Sequence, residues 1–239
     1  MPEPCQTAPV TARHFRRLQA PARFYAVVRA FWQFAFGAAM RVKVHGLDHA
    51  GLKGGALLAV SHVSHLDPVV MSVLLKNPVS WMAREEFYRC RSWAAFLDRI
   101  GAFPINRHGK ALPGVREALA RLRRGEMVGI FPEGEIMAGG DSVVRGAPVR
   151  RGVALLAARA GVPVVPVVVS GTQRLNSPGP WLPLKLGRLW VVAGAPLKAP
   201  ANGSGRAGRD AFAKQLEQAF VELYGELRHR FPEPESIIP

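Results

Sequence analysis

Cysteine is nearly absent, with two residues in 239, Cys5 and Cys90. That count excludes a disulfide framework, and because Cys5 lies in a stretch with no helical or strand pattern, no structural disulfide is expected. Acidic residues are scarce too, 17 against 32 Lys plus Arg, for a formal net charge of +15. No apolar run approaches the roughly 20 residues that span a bilayer. The start, MPEPCQTAPVTARHFRR, has no apolar core after its charges, so it does not read as a secretory signal, and a cytoplasmic protein is the default. There are no internal repeats, no zinc-finger spacing, no aromatic signature of RNA binding and no G-x-S-x-G elbow. Nucleic acid is therefore not expected as a partner. The excess charge, spread along the chain, fits an anionic membrane surface, a phosphorylated substrate, or simply a solvated basic surface.

What is present is enough for a core. Hydrophobic residues make up 49% and charged residues 21%, which excludes both a disordered chain and an all-membrane one. A chain of 239 residues suits a single α/β domain that needs neither disulfide nor metal. The segment from Pro21 to Met40 is apolar and aromatic but contains Arg29 and Gln33, and its longest charge-free stretch begins only at Ala30. It reads as a helix lying in a membrane interface or packed on the domain, and the two are compatible.

From there short apolar runs alternate with helical patterns. Strands are expected at 41–45, 56–60, 79–82, 102–105, 127–131, 162–169 and 190–193. Helices are expected at 68–76, up to Arg99, at 112–124, 152–160 and 210–230, with a flexible connection at 199–208. The alternation predicts one domain with a mixed, mostly parallel sheet flanked by helices, spanning 41–239 and preceded by an N-terminal extension and docking helix, 1–40. Proline within the strand at Pro166 predicts an edge or an irregularity.

The chemically suggestive residues follow the buried runs. After ALLAV comes Ser61-His62-Val63-Ser64-His65-Leu66-Asp67. Five residues on a helix would point His62 and Asp67 about 140° apart, so they meet only across a turn. Asp67-Pro68 supplies one, with Asp67 expected as the helix N-cap. A carboxylate on one imidazole nitrogen frees the other as a base, whereas a mere cap needs no histidine. The strand GAFPIN ends in Arg107, which suits a phosphate or a plain surface position. Phe131-Pro132-Glu133-Gly134 makes a tight turn, where Glu133 could bind a hydroxyl, orient a basic residue or be solvated.

Taken together and in order, H-x4-D, G-x-F-x-x-x-R, F-P-E-G and a proline-bearing apolar strand resemble the glycerolipid acyltransferase family, in particular the 1-acylglycerol-3-phosphate acyltransferases. The resemblance spans about Val42 to Ala195. It implies His62 as general base, Asp67 as its orienter, and Arg107, Glu133 and Gly134 in the acceptor site. It implies transfer of a fatty acyl group from an acyl thioester to the hydroxyl of lysophosphatidic acid. No cofactor or metal is called for; the donor substrate is acyl-CoA or acyl-acyl carrier protein. The partners implied are a lysophospholipid, an acyl carrier protein and an anionic membrane surface. The chain is expected to sit peripherally on the cytoplasmic side of the cell membrane. One departure is clear: Glu135 and Ile136 stand where the family pattern has Thr and Arg. Arg150 and Arg151, and upstream of them Arg145, are the candidate replacements. The alternatives are another lysophospholipid acceptor, such as lysophosphatidylethanolamine, or a non-catalytic lipid-binding protein.

Overall fold

A computed structural model describes residues 22–50, 55–106, 112–137, 139–173, 187–201 and 203–231. Seven strands form one sheet in the order β1-β7-β6-β2-β5-β3-β4. They are β1 (Met40–His45), β2 (Ala56–Val60), β3 (Val79–Arg84), β4 (Phe103–Ile105), β5 (Met127–Ile130), β6 (Val164–Ser170) and β7 (Gly187–Ala193). Every pairing is parallel except β6 with β7, so the sheet is mixed and mostly parallel, as expected.

Among the described residues the six α-helices are α1 (Ala22–Ala39), α2 (Asp67–Leu74), α3 (Arg91–Arg99), α4 (Leu112–Arg123), α5 (Gly152–Ala160) and α6 (Gly205–Arg230). They cover both faces, because the strands alternate their side chains between two cores. Leu57, Ala59, Val164 and Val168 point to the face covered by α4, α5 and α6, where Phe212, Leu216 and Phe220 pack. Leu58, Val60, Val165 and Val167 point to the other, where α2 contributes Val70 and Met71 and α1 and α3 contribute Trp32 and Leu97. Each fully buried aliphatic side chain is worth roughly 1.5–3 kcal/mol relative to exposure, so two-sided burial of β2 and β6 makes them the most constrained strands.

The sheet decides between the two readings of Pro166. It marks an irregularity and not an edge, since β6 lies between β2 and β7. The prolyl nitrogen faces the β7 side. There the regular ladder stops at Ala193, Gly194 N donates to the Pro166 carbonyl at 2.9 Å, and the chain bridges again only at Leu197. The missing N–H thus falls where the neighbour leaves the ladder. The connection expected at 199–208 is also shorter than its glycines suggest, because α6 already begins at Gly205. Cys90 Sγ lies 3.2 Å from Ser92 Oγ at the start of α3, and the expectation about a disulfide rests on Cys5, which lies outside the described residues.

Helix α1 resolves the odd polarity of its segment. Arg29 Nε and Gln33 Nε2 each donate to the Val73 carbonyl at 3.3 Å, and Arg29 Nη1 reaches the Lys76 carbonyl at 3.4 Å. These are carbonyls at the α2 C-terminus that the helix itself leaves without donors. The two polar residues therefore face the protein, and Val27, Phe31 and Phe34, spaced i, i+4, i+7, are left exposed. No helix among the described residues is long and apolar enough to cross a membrane.

Candidate active site

Strands β6, β2 and β5 are adjacent and mutually parallel, so their C-terminal ends meet at one edge of the sheet. The chain leaves β2 toward α2 on one face, while after β5 it reaches α5 on the other. A crevice opens where neighbouring strands send their connections to opposite faces. His62 follows β2, Glu133 follows β5 and Thr172 follows β6.

Asp67 is wholly buried at the first residue of α2. Its Oδ2 accepts from His62 Nδ1 at 3.0 Å, Val63 N at 2.9 Å and Ser64 N at 2.8 Å. Its Oδ1 accepts the Thr172 hydroxyl at 2.6 Å. Asp67 is therefore not the N-cap the sequence suggested. The cap position is Leu66, without a side-chain cap, and the carboxylate reaches back over the preceding loop instead of onto the amides of its own helix. A carboxylate held by four donors stays an acceptor, which fixes the proton on Nδ1 and leaves Nε2 as the imidazole's basic nitrogen.

The ring is also held by stacking. Phe131 lies on it with centroids 3.8 Å apart and planes at 20°, and Trp81 continues the stack on Phe131 at 5.2 Å and 16°. The Trp81 indole donates to Ser72 Oγ on α2 at 2.9 Å. Only glycine at 129 leaves room for that indole, since a Cβ there would sit 2.4 Å from its ring carbons.

Glu133 is buried as well. Oε2 accepts the backbone N–H of His62 at 2.6 Å, while Oε1 accepts the Ser142 hydroxyl at 2.8 Å and Val143 N at 3.0 Å. Burial pushes its carboxyl above the usual range, and the hydrogen bonds from Ser142, Val143 and His62 pull it back. The sequence pattern assigns Glu133 to the acceptor; the structure engages both its oxygens within the chain, on the backbone of His62 and on the loop after the F-P-E-G turn. Of the roles open for it in the sequence, orienting a basic residue fits these contacts, and a solvated turn glutamate does not.

Gly134 and Arg150 form one unit. Arg150 Nε donates to the Glu133 carbonyl at 2.8 Å, and Arg150 N donates to the Pro132 carbonyl at 2.9 Å. Gly134 has φ +83°, and a Cβ on it would lie 2.1 Å from Arg150 Nε. The bare glycine thus lets the guanidinium cross the turn. The same guanidinium is 3.4 Å from Glu135 at the surface. Arg151 precedes α5 with an exposed side chain that bonds no described residue. Arg145 lies over the Tyr224 ring of α6 at 5.1 Å. Arg107 lies outside the described residues.

Three contributors carry little or no signal in the sequence. Thr172 and Ser142 belong to no motif, because their partners are remote in sequence. Phe131 is visible only as the first letter of F-P-E-G. The serines beside His62 are structural: Ser61 Oγ accepts Val169 N at 3.0 Å, tying β2 to β6, and Ser64 Oγ accepts Leu66 N at 3.2 Å. Neither has the setting of a nucleophile, in keeping with the absence of a G-x-S-x-G elbow from the sequence.

Residues 41–170 match the family model described as Acyltransferase, more than half of the chain. The chain belongs to that family. It is similar to the 1-acyl-sn-glycerol-3-phosphate acyltransferase of Bacillus subtilis, 27% identical over 189 residues, which cover 78% of this chain and 89% of that protein. The protein of the same name from Borreliella burgdorferi is 25% identical over 138 residues, 57% of this chain and 54% of that one. The fold is that of the 1-acyl-sn-glycerophosphate (LPA) acyltransferase from Thermotoga maritima, at a TM-score of 0.69 and 22% identity over 92% of this chain and 88% of the other. The protein is thus an α/β acyltransferase of phospholipid biosynthesis.

Proposed function

We propose that this acyltransferase moves a fatty acyl group from an acyl thioester, carried by coenzyme A or acyl carrier protein, to the free hydroxyl of lysophosphatidic acid, giving phosphatidic acid. The observation that carries the mechanism is the Nδ1–Oδ2 bond of His62 and Asp67 at 3.0 Å, which directs basicity to Nε2. His62 Nε2 takes the proton of the acceptor hydroxyl as its oxygen attacks the thioester carbonyl carbon. The carbon–sulfur bond breaks, and the imidazolium returns the proton to the departing thiolate. No acyl-enzyme forms. Asp67 stabilises the transient imidazolium, and Glu133 fixes the His62 backbone. The names of the two curated relatives support the acceptor.

Arg107 is proposed to hold the acceptor phosphate, and Arg151 is the second cation of choice, exposed beside the α5 N-terminus, which itself attracts anions. A second reading, acylation of a phosphodiester lysolipid, draws on the Arg150–Glu135 pair, since a cation shared with a carboxylate offers less to a doubly charged phosphate. We further propose peripheral docking on the anionic cytoplasmic leaflet through Val27, Phe31 and Phe34, assisted by the net charge of +15.

The test mixes protein, acyl-CoA or acyl carrier protein, and lysophospholipids of different head group, and follows free thiol. Release of thiol with lysophosphatidic acid several-fold faster than with lysophosphatidylethanolamine is expected. The reverse order would replace the acceptor, and no release with any acceptor would leave a non-catalytic lipid-binding protein.

A further inference from the structure

Beyond the motif residues, the geometry points to Thr172 as a positioning residue that keeps the Asp67 carboxylate on His62; we propose this role on the reading of His62 as the base. Three of the four donors to Asp67 come from the loop it closes, and all three converge on Oδ2. Oδ1 has one donor only among the described residues, the Thr172 hydroxyl, 105 positions away at the end of β6. The torsion that turns a carboxylate about its own axis is soft and nearly two-fold. A group bonded on one oxygen alone could rotate; a second donor from a different element sets its angle. An ionised carboxylate can only accept, so Thr172 must donate.

The placement of Thr172 is itself fixed. Its side chain is fully buried. The residue before it, Gly171, has φ +99°, and a Cβ there would lie 2.0 Å from the Arg188 carbonyl oxygen, so only glycine turns the chain at this point. Just upstream, Val169 N is bound to Ser61 Oγ, which pins the end of β6 to the residue preceding His62. The β6 terminus therefore grips the His62–Asp67 loop at both its ends. Thr172 also lies beyond residue 170, where the family match stops, so its role is read from contact and not from the shared motifs.

The experiment compares Thr172→Val, which keeps the shape and loses the donor, with Thr172→Ser, which keeps the donor. Thr172→Ala is the second donorless variant should the valine form not fold. In the thiol-release assay the valine variant should lose about tenfold or more in kcat, the scale of one hydrogen bond to a buried charge. KM for both substrates should stay within about twofold, and serine should restore kcat to within about threefold. In an Asp67→Asn background the valine change should add no further loss, because the two residues act as one unit. A kcat equal to wild type, a serine variant as impaired as valine, or a fully multiplicative double variant would overturn the role. A second readout does not need turnover. In protein with labelled histidine, the Nδ1 proton resonance of His62 should move or broaden with valine and stay in place with serine; an unmoved resonance with valine overturns the proposal. Absence of thiol release from the wild type would count against the proposed reaction alone, and the resonance would still decide Thr172.

Discussion

The Glu133 carboxylate accepts the backbone N–H of His62 at 2.6 Å and, on its other oxygen, the Ser142 hydroxyl and Val143 amide. Three donors on two oxygens require a group that only accepts. Glu133→Gln brings an NH2 against one set of those donors. It should lower stability by about 1–3 kcal/mol, the cost of unsatisfied buried polar groups, and turnover by roughly 10²-fold through displacement of His62. Thermal denaturation and thiol release measure the two; full activity in the folded variant would return Glu133 to a turn-forming role.

His62→Ala should remove about 10²–10⁴-fold of the rate, since base catalysis is of that size, and should still fold, at a cost in melting temperature from the lost stack on Phe131 and the lost bond to Asp67. Turnover within threefold of wild type would sink the mechanism. Asp67→Asn should lose both rate and stability, because its carboxylate also holds Val63 N and Ser64 N. A variant that loses stability at normal rate would make Asp67 a purely structural residue.

The arginines should separate by readout. Arg150→Ala should reduce thermal stability, having lost its bond to the Glu133 carbonyl, and should impair every acceptor alike. Arg151→Ala should leave stability intact and raise KM for lysophosphatidic acid more than for a diester lysolipid. Arg107→Ala should raise the acceptor KM far more than the donor KM, with lysine rescuing only part of it. Equal acceptor profiles for all three variants would move the phosphate site elsewhere.

Phe31→Ser combined with Phe34→Ser should weaken binding to anionic vesicles about tenfold or more, while melting temperature stays within a few degrees, since both rings already face outward. Salt should weaken wild-type binding as well. Arg29→Ala should do the opposite, costing stability by uncapping α2 and sparing vesicle binding. Vesicle sedimentation against calorimetry distinguishes them.

Much of the fold and site is legible in the sequence because it is local. The buried runs at 56–60 and 127–130 announce strands by composition, and H-x4-D and F-P-E-G follow them at fixed short spacing. What stays hidden is contact between distant segments. Nothing near Thr172 signals that it meets Asp67, and nothing near Ser142 signals Glu133. Arg29 and Gln33 look like flaws in an apolar helix until the end of α2 appears beneath them. Asp67-Pro68 reads as a cap because capping is the common use of that pair; the carboxylate instead satisfies the loop behind it. Pro166 announces an edge or an irregularity, but which of the two it is depends on the strand's neighbours and where they depart, and that is not written in the strand.

The glycine at 129 gives the stack of Trp81, Phe131 and His62 an unexpected governor. The imidazole's position depends in series on a phenyl ring, an indole and then a place where no side chain exists. Adding a single methyl group deep in the sheet would push the indole, and the displacement would be handed outward ring by ring. Mutational tolerance in this enzyme should thus follow mechanical linkage to His62 and not distance from it: a remote, chemically inert position can be as intolerant as the reacting group, while exposed residues closer to the crevice that touch neither the substrate nor this stack vary freely.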